Sequence, residues 1–269
     1  MPFYSLVCSS LDVASANVAN ILIKKYDFIK VNEFIYRSKV YTNVQMIMIN
    51  KIPLYADKID EINSDTGCFI FASRHKSSSE IPTLTCHTTG NFNQNPYGGS
   101  PKEIGMCYPW IQKQYFLELH SQRHKVPKFD ITIEATHHGP TSLGKPILFV
   151  EIGSTEKEWL DADAAETVCV ALLEVFSKNP GKCKRVAICF GGTHYPSKYN
   201  KLLLGSEYGL AAIAARYNLQ NLDGTMIQKM ISRSIENVRY LVYDTKGMGI
   251  EKKRLLLLME DTGIEMIKV

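Results

Sequence analysis

Apolar positions recur along the chain with two different periodicities, one typical of strands and one typical of helices. Segments of the two kinds alternate, which predicts alternating strands and helices. Residues 129–136 (FDITIEAT) alternate strictly between apolar and polar, which predicts a strand with one polar face that carries Glu134. Residues 154–178 place apolar side chains at helical spacing behind a Thr155-to-Glu158 capping-box pattern, which predicts a long helix. Further strands are predicted at 3–10, 40–50, 67–73, 82–86, 147–154, 185–192, 239–245 and 264–269. Further helices are predicted at 11–26, 109–125, 209–217, 224–236 and 250–262.

The order of these elements predicts the fold class. Strands and helices alternate over most of the length, which favours an α/β fold with a largely parallel mixed sheet covered by helices. The sequence has no internal repeat, low-complexity tract or Pro/Gly/Ser-rich linker, so we expect one domain spanning residues 1–269. The pattern does not fix the order of the strands in the sheet.

Composition and charge narrow the class of protein. A hydrophobic content of 45% with 22% charged residues is ordinary for a soluble globular protein, and no apolar run approaches the roughly 18–20 residues that span a bilayer. The first residues form no basic, signal-like leader, so we expect a cytoplasmic protein without membrane partners. The seven cysteines are scattered and never spaced as C-x-x-C, which favours reduced core thiols. A net charge of +4 with a pI near 8.5 permits an RNA partner without requiring one.

The histidines are concentrated just after predicted strands. Five of the seven follow a strand, namely His75, His87, His137, His138 and His194. In open α/β sheets, the polar loops at the carboxyl ends of the strands form the ligand-binding crevice. We therefore expect these five histidines to meet at one site. His120 and His124 lie one turn apart on a predicted helix, where an exposed face is expected rather than a metal clip.

Two blocks each permit a structural and a functional interpretation. In 134–141 (EATHHGPT), the adjacent histidines would point in opposite directions on an extended chain, and the following Gly-Pro pair predicts a turn that brings both rings to one site. Glu134 is placed either to orient an imidazole or bind a metal, or to accept buried backbone donors. The glycines of 191–195 (GGTHY) either permit a tight turn or present N–H groups to a developing negative charge.

The residue types narrow the chemistry of the expected site. The chain has no G-x-S-x-G elbow, P-loop or early glycine-rich dinucleotide fingerprint, so serine-hydrolase, NTPase and dinucleotide-binding functions lack support. Cys86 would face away from its neighbour His87 on a strand, which favours a core thiol over a Cys/His nucleophile pair. The remaining set of imidazoles and carboxylates suits zinc-assisted or general-base hydrolysis.

Five blocks of sequence carry a resemblance to a known family. In chain order they are FASRH at 71–75, LTCHTTGN at 84–91 with YGG at 97–99, EATHHGPT at 134–141, FVEIGSTEKEW at 149–159 and GGTHY at 191–195. With these blocks in the family's order, the sequence resembles the archaeal and plant D-aminoacyl-tRNA deacylases over essentially its full length. The resemblance implies hydrolysis of the ester that joins a D-amino acid to the 3′-terminal adenosine of tRNA. It also implies bound zinc and a fold like those of phosphorylases and peptidyl-tRNA hydrolases.

The resemblance also supplies candidate site residues, and the division of roles among them is our hypothesis. The expected catalytic residues are Glu134, His137 and Glu151. The expected zinc ligands are His87, His138 and His194. The expected substrate-binding residues are Ser73, Arg74, His75, Asn91 and Tyr195. Arg74 is expected to hold phosphates of the acceptor end, and Tyr195 or Phe92 to stack on the terminal adenine.

The expected partner is the aminoacylated 3′ end of tRNA, bound by a monomer. Two alternatives remain open from the residues themselves. One is a peptidyl-tRNA or nucleoside hydrolase or phosphorylase on the same fold. The other is a non-enzymatic tRNA-binding protein with a structural zinc, which the absence of closely spaced cysteines disfavours.

Overall fold

The computed structural model describes residues 3–62 and 66–269, and within them the chain forms fourteen strands and seven α-helices. The strands are β1 (Phe3–Ser9), β2 (Phe28–Lys30), β3 (Ile35–Ser38), β4 (Val44–Ile49), β5 (Thr66–Arg74), β6 (Thr83–His87), β7 (Gly90–Asn91), β8 (Glu103–Ile104), β9 (Asp130–Ile133), β10 (Ile147–Gly153), β11 (Arg185–Phe190), β12 (Tyr208–Ala214), β13 (Tyr240–Tyr243) and β14 (Glu265–Lys268). The helices are α1 (Val13–Lys25), α2 (Pro109–Ser121), α3 (Glu156–Trp159), α4 (Ala162–Ser177), α5 (Ser197–Gly205), α6 (Gly224–Ser232) and α7 (Lys252–Glu260).

Two sheets organise these strands. The larger sheet has the order β2-β3-β4-β1-β5-β10-β6-β9, and the smaller one has the order β12-β11-β13-β14. All pairs in the smaller sheet are parallel, whereas the larger sheet contains the antiparallel pairs β2–β3, β3–β4 and β6–β10. Strands β7 and β8 form a separate antiparallel ribbon. The predicted α/β class with a mostly parallel mixed sheet is confirmed.

Helices α1, α2 and α4 cover one face of the larger sheet. Asp12 caps the start of α1 by accepting from the amide of Ser15, and Leu22 on that helix is fully buried in the main core cluster. On the opposite face, a second apolar layer includes Phe71 and Phe149, whose rings stack at 4.9 Å between centroids. None of the helices within the described ranges is long and apolar enough to cross a membrane.

Two of the predicted helices need correction. Residues 209–217 are mostly strand, because Tyr208–Ala214 form β12 and every residue in it is buried. A strand covered on both faces is a continuous apolar run, which periodicity does not separate from a buried helix. The predicted helix at 154–178 is two helices, α3 and α4, because the chain leaves the helix after Trp159 and Asp161 caps the second one.

A short segment after β9 joins the two sheets. The predicted strand at 129–136 ends at Ile133, and the residues beyond it turn toward the smaller sheet. The Thr136 amide donates to the Ile213 carbonyl at 3.0 Å, and the Ile213 amide donates to the Thr136 hydroxyl at 2.9 Å. The Ala135 amide donates to the His194 carbonyl at 2.8 Å. This junction brings Glu134 and His194 next to each other.

The cysteines are free thiols, and all but Cys183 are buried. Burial raises the pKa of the Cys8 thiol to about 12, and burial together with the Glu134 carboxylate raises that of Cys86 as well. Protonated, buried thiols are poor nucleophiles and poor metal ligands. The expectation of reduced core cysteines is confirmed.

Candidate active site

A cavity of about 420 Å³ lies beside the ends of β5 and β10. Seven residues that the sequence analysis assigned to the site line it, namely Ser73, Arg74, His75, His137, His138, Glu151 and His194. They come from four separate segments of the chain, so the fold brings together most of what the sequence predicted. The cavity volume falls within the roughly 300–1,000 Å³ that is usual for small-molecule sites.

The strands that deliver these groups do not all run the same way. Strand β6 is antiparallel to β10, and their register sets His87 opposite Phe149 and Thr85 opposite Glu151. Strand β9 is parallel to β6, and the bridge between Thr89 and His137 continues this pairing. The histidines therefore meet because of register within a mixed sheet, rather than at the shared carboxyl edge of a parallel one.

Two carboxylates lie at the bottom of the cluster. Glu134 and Glu151 are only 1% and 2% exposed. Oε2 of Glu134 accepts from Nε2 of His194 at 2.7 Å, and its Oε1 lies 3.3 Å from Nδ1 of His75. Oε2 of Glu151 lies 3.2 Å from the same Nδ1 of His75, and its Oε1 lies 3.8 Å from Nε2 of both His87 and His138. His75 thus lies between the two carboxylates.

His87, His137 and His138 form a compact group of rings. Their ring centroids are separated by 4.1 Å between His87 and His137, 4.7 Å between His87 and His138, and 4.4 Å between His137 and His138. The adjacent pair faces one site because His138 has a φ of +43°, in the left-handed region that turns the backbone between them. The predicted turn is present, but its left-handed residue is His138 rather than Gly139 of the Gly-Pro pair.

The hydrogen bonds of these three rings fix their tautomers. Nδ1 of His87 lies 3.1 Å from the Thr88 carbonyl, and Nδ1 of His137 and of His138 lies 2.8 Å and 2.7 Å from a backbone carbonyl. A carbonyl only accepts, so each Nδ1 carries the proton and each Nε2 keeps a lone pair. Three Nε2 lone pairs are then available to a metal ion or a proton.

His75 is held on three sides. Its Nε2 lies 2.5 Å from the hydroxyl of Tyr195, and its carbonyl accepts from the indole N–H of Trp159 at 2.8 Å. A Cβ added at Gly153 would lie 2.7 Å from the His75 ring, so the absence of a side chain at 153 lets the imidazole approach β10. Residues of the FASRH, FVEIGSTEKEW and GGTHY blocks therefore cooperate in placing one imidazole.

His194 is positioned by the turn of the GGTHY block. Gly191 and Gly192 have φ values of +97° and +85°, so the two glycines are needed for the bend itself, as the structural interpretation expected. Nε2 of His194 donates to Glu134, and its Nδ1 lies 3.1 Å from the hydroxyl of Tyr217. Glu134 thereby fixes the tautomer of His194 with its lone pair on Nδ1.

The buried charges set one another's pKa values. Burial alone would lower the pKa of His75, but the Glu134 and Glu151 carboxylates outweigh it and raise that pKa to about 9. Burial would raise the pKa of both carboxyls, yet the surrounding imidazoles hold each pKa below its usual value. At neutral pH Glu134 and Glu151 are therefore ionised and His75 is protonated.

The pKa values of the other three imidazoles, those of His87, His137 and His138, shift in different directions. Burial, reinforced by the rings of His87 and His138, lowers the pKa of His137 well below its usual value. Burial also lowers the pKa of His138, against the opposing effect of Glu151. His87 differs, because Glu151 outweighs its burial and raises its pKa. His137 and His138 are neutral at pH 7 and suited to act as ligands.

The cluster has the chemistry of a divalent-cation site. Among the described residues, three groups place ligand atoms within 4.8 Å of one another, namely His87, His137 and His138; Glu134, His137 and His194; and His75, Glu134 and Glu151. Nε2 of His87 and Oε1 of Glu134 are buried and lack a hydrogen-bond partner in the described chain. Unpartnered buried acceptors, neutral imidazoles and two carboxylates all fit a metal ion. The sequence hypothesis is altered in one respect, since His137 rather than His194 groups with His87 and His138.

The remaining predicted site residues fall in different places. The Ser73 hydroxyl donates to Asp12 at 3.3 Å, and the guanidinium of Arg74 lies 5.3 Å from the centre of the Trp159 ring. Asn91 donates to the carbonyls of Gly98 and Ser100, so its amide holds the YGG loop. Phe92 is 2% exposed and belongs to the core of the smaller sheet, so it is not free to stack on a base. His124 is exposed, as expected, but His120 is half-buried against Phe116. The two do not share the predicted helical face, because α2 ends at Ser121 and His124 lies in the 3₁₀ segment that follows.

Sequence reasoning missed four polar residues of the site, namely Asp12, Lys76, Tyr97 and Tyr217, and the apolar Ile52 and Leu54 that also line the cavity. Asp12 is buried at the cavity wall, where it accepts from the Arg74 amide at 3.0 Å. Asp12 follows the first predicted strand, so the rule that located the histidines would also have found it. Tyr217 lay in the segment wrongly predicted as helix, and nothing in its neighbours marks it.

Comparison with known proteins shows the family of this chain. Residues 62–267 match the family model described as D-aminoacyl-tRNA deacylase. The D-aminoacyl-tRNA deacylase of Cenarchaeum symbiosum is 43% identical over 222 residues, which cover 82% of this chain and 85% of that protein. That of Pyrococcus furiosus is 32% identical over 271 residues, or 98% of each chain. The crystal structure of a conserved protein of unknown function is 32% identical and superposes with a TM-score of 0.90 over 99% of this chain and 95% of that one. The chain belongs to the D-aminoacyl-tRNA deacylase family, a family of hydrolases.

Proposed function

We propose that this protein hydrolyses the ester bond of D-aminoacyl-tRNA and releases the free D-amino acid and reusable tRNA. Family membership supports the substrate. The observation that carries the proposal is a cluster of five histidines and two buried carboxylates, of which four histidines and Glu151 line one cavity. Ester hydrolysis needs a polarised carbonyl, an activated water and stabilisation of the developing oxyanion, and these groups can supply all three. The protein acts in the cytoplasm, as a monomer, on the aminoacylated 3′ end.

Zinc is the metal we assign to the cluster. His87, His137 and His138 would hold it through Nε2, since each donates its Nδ1 proton to a backbone carbonyl, as zinc-bound histidines commonly do. This assignment moves His137 from the catalytic to the ligand set and frees His194 for proton transfer. Bound zinc supplies Lewis-acid polarisation of the ester carbonyl or of the attacking water.

The pair of Glu134 and His194 moves the proton. Glu134 remains ionised and accepts from Nε2 of His194, so the basic atom of this ring is Nδ1. Once the Tyr217 hydroxyl, 3.1 Å away, turns aside, the lone pair on Nδ1 takes the proton of the attacking water and then passes it to the departing ribose oxygen. His194 lines the cavity and keeps part of its ring accessible, which proton exchange with substrate requires. General-base catalysis of this kind contributes about 10²–10⁴-fold in rate.

His75 and the cavity rim act on the substrate. The imidazolium of His75, oriented by Glu151 and Tyr195, offers positive charge to the oxyanion that forms at the ester carbonyl. Arg74 and Lys76 at the rim attract the phosphates of the acceptor end, while Ser73 shapes the wall beside Asp12. Asn91 contributes indirectly, by holding the loop at 98–100.

The direct test compares matched D-Tyr-tRNA and L-Tyr-tRNA, with release of tyrosine as the readout. We expect fast loss of the D-ester only, abolished by exhaustive chelation and restored by adding zinc. Equal rates for the two esters would overturn the proposed substrate. A D-specific rate that survives complete metal removal would overturn the zinc assignment and leave the hydrolase intact.

Two single histidine variants test the location of the site. His138→Ala removes one proposed ligand, and His124→Ala removes an exposed histidine outside the cavity. We expect the first variant to lose at least about 100-fold in rate and to bind less zinc, and the second to match the parent. Equal rates in both folded variants would place the chemistry elsewhere.

A further inference from the structure

A second cavity adjoins the candidate active site on the far side of His194. Its volume is about 600 Å³, and His194 lines both this cavity and the one described above. Its walls come from the turn at Gly192, the 3₁₀ segment 216–221 and the residues that lead into α7. Nothing in the proposed chemistry uses most of these residues.

The walls suit a flat, partly apolar ring. Tyr217 is 50% exposed, and Ile250 is 95% exposed, the highest value among the large apolar side chains of the described chain. The buried Met248 adds apolar lining, and Gln220 adds an amide that both donates and accepts. Aromatic and apolar faces with one or two polar groups are the usual means of holding a nucleobase.

The cavity also offers an uncommitted positive charge. The guanidinium of Arg216 makes no ion pair with any described residue. It lies against the backbone at Gly249, where φ is +58° and a Cβ would approach its nitrogens to 3.1 Å. The carboxylate that lines the cavity, Glu251, is already paired with Arg254 at 2.7 Å. The surface therefore favours an anion such as a phosphate.

We propose that the second cavity binds the terminal nucleotide of the substrate, with its base against Tyr217 and Ile250 and its phosphate near Arg216. This inference rests on the proposed function and deepens it, because it names the part of the substrate held there. An aminoacyl-nucleotide has two halves joined at the scissile ester. Two cavities that meet at His194 match that shape, with the proton-transfer residue at the junction.

The groups that line each cavity decide which half of the substrate enters it. The first cavity carries the carboxylates of Asp12 and Glu151, which suit the α-ammonium group of an amino acid, while Arg74 and Lys76 at its rim are left for phosphates farther along the acceptor end. The second carries Arg216 and no carboxylate without a cationic partner among its lining residues. The amino acid therefore occupies the first cavity and the nucleotide the second.

The test combines binding of AMP with turnover. Ile250→Asp adds charge and removes apolar surface at the rim of the second cavity, and Leu257→Asp makes the same change at an exposed position on α7 outside it. In calorimetry with the parent protein we expect saturable AMP binding, weakened about tenfold or more by Ile250→Asp and unchanged by Leu257→Asp. Arg216→Gln should weaken AMP binding while leaving adenosine binding close to the parent value.

Turnover separates this inference from the proposed function. With D-Tyr-tRNA, Ile250→Asp should raise KM about tenfold with little change in kcat, while Leu257→Asp matches the parent. Parent-like KM and AMP affinity in Ile250→Asp, with an active parent enzyme, would overturn the nucleotide site and leave the hydrolase standing. An inactive parent that still binds AMP in a manner sensitive to Ile250→Asp would overturn the hydrolase and keep the nucleotide site.

Discussion

His75 is the one imidazole in the site flanked by two buried carboxylates, and its charge follows from them. Nδ1 of His75 lies 3.3 Å from Glu134 and 3.2 Å from Glu151. In the zinc-free protein we predict an NMR titration midpoint near 9 for His75, above the usual 6.5. The variant Glu151→Gln should move that midpoint toward lower pH. A midpoint at or below 6.5 in the parent would contradict the account.

The raised pKa of His75 makes the free energy of unfolding depend on pH. Because the folded-state pKa of His75 lies above its unfolded value, protonation stabilises the folded state. That contribution is complete below about pH 6.5 and is lost as the pH rises through about 9. The free energy of unfolding of the zinc-free parent, measured by denaturant titration, should therefore fall over this pH interval. The variant His75→Gln should show a smaller dependence of this free energy on pH. An identical pH profile in both proteins would contradict the assignment.

A substitution at Gly153 tests the position of the His75 ring without removing any side chain of the proposed chemistry. A Cβ at 153 would lie 2.7–2.8 Å from two atoms of His75, so Gly153→Ala forces the imidazole away from Glu151. We predict a fall of at least about tenfold in deacylation rate, since small misplacements of catalytic groups are costly. Gly144→Ala is the matched control, because a Cβ there meets no atom within 4 Å. Equal rates in the two variants would show that the placement of His75 is unimportant.

At the scale of elements, α2 depends on a residue far away in sequence. No side chain caps this helix locally, and the buried Glu236 accepts instead from the amides of Trp110 at 2.7 Å and Cys183 at 2.6 Å. Glu236→Ala would leave two donors unpaired, at a cost of roughly 2–4 kcal/mol in the free energy of unfolding. Denaturant titration checks this against the exposed Glu174→Ala, which we expect within about 0.5 kcal/mol of the parent. Equal stability of the two variants would contradict the capping role.

The elements also show what a sequence pattern can predict. Residues 130–133 and 147–153 were predictable as strands because each has a clear alternating or apolar run. The secondary structure of β12 was not predictable, since a fully buried strand and a buried helix have the same apolar composition. The antiparallel pairing of β6 with β10 was also hidden, although it sets His87 beside Glu151. Register depends on the whole sheet, which no single segment records.

At the scale of the molecule, Thr136 holds the two sheets together. Its hydroxyl accepts from the Ile213 amide and lies 2.9 Å from the Thr88 hydroxyl. Thr136→Val keeps the shape but leaves buried groups unpaired, so we predict a loss of roughly 2–4 kcal/mol in the free energy of unfolding. Thr85→Val is the matched control, because the Thr85 hydroxyl is buried without a partner in the described chain and its removal should be neutral or stabilising. The opposite order of stabilities would contradict this account of the junction.

The junction also explains which parts of the site were predictable. The histidine-rich blocks predicted the candidate reacting groups, and their shared position after strands predicted that they converge. The exchange of roles that we propose between His137 and His194 was not predictable, because it depends on how the smaller sheet docks through Ala135 and Thr136. The second cavity was hidden for the same reason, since residues 192 and 250 lie in turns of the smaller sheet that no shared motif connects.

The central claim is that Glu134, acting through His194, activates water against the D-ester. The most direct measurement is the single-turnover rate of D-Tyr-tRNA hydrolysis by zinc-loaded parent, Glu134→Gln and the exposed control Glu174→Gln, with L-Tyr-tRNA alongside. We predict D-specific turnover in the parent and in Glu174→Gln, and a rate at least about 100-fold lower in a folded, zinc-containing Glu134→Gln. A parent-like rate in Glu134→Gln would contradict the account.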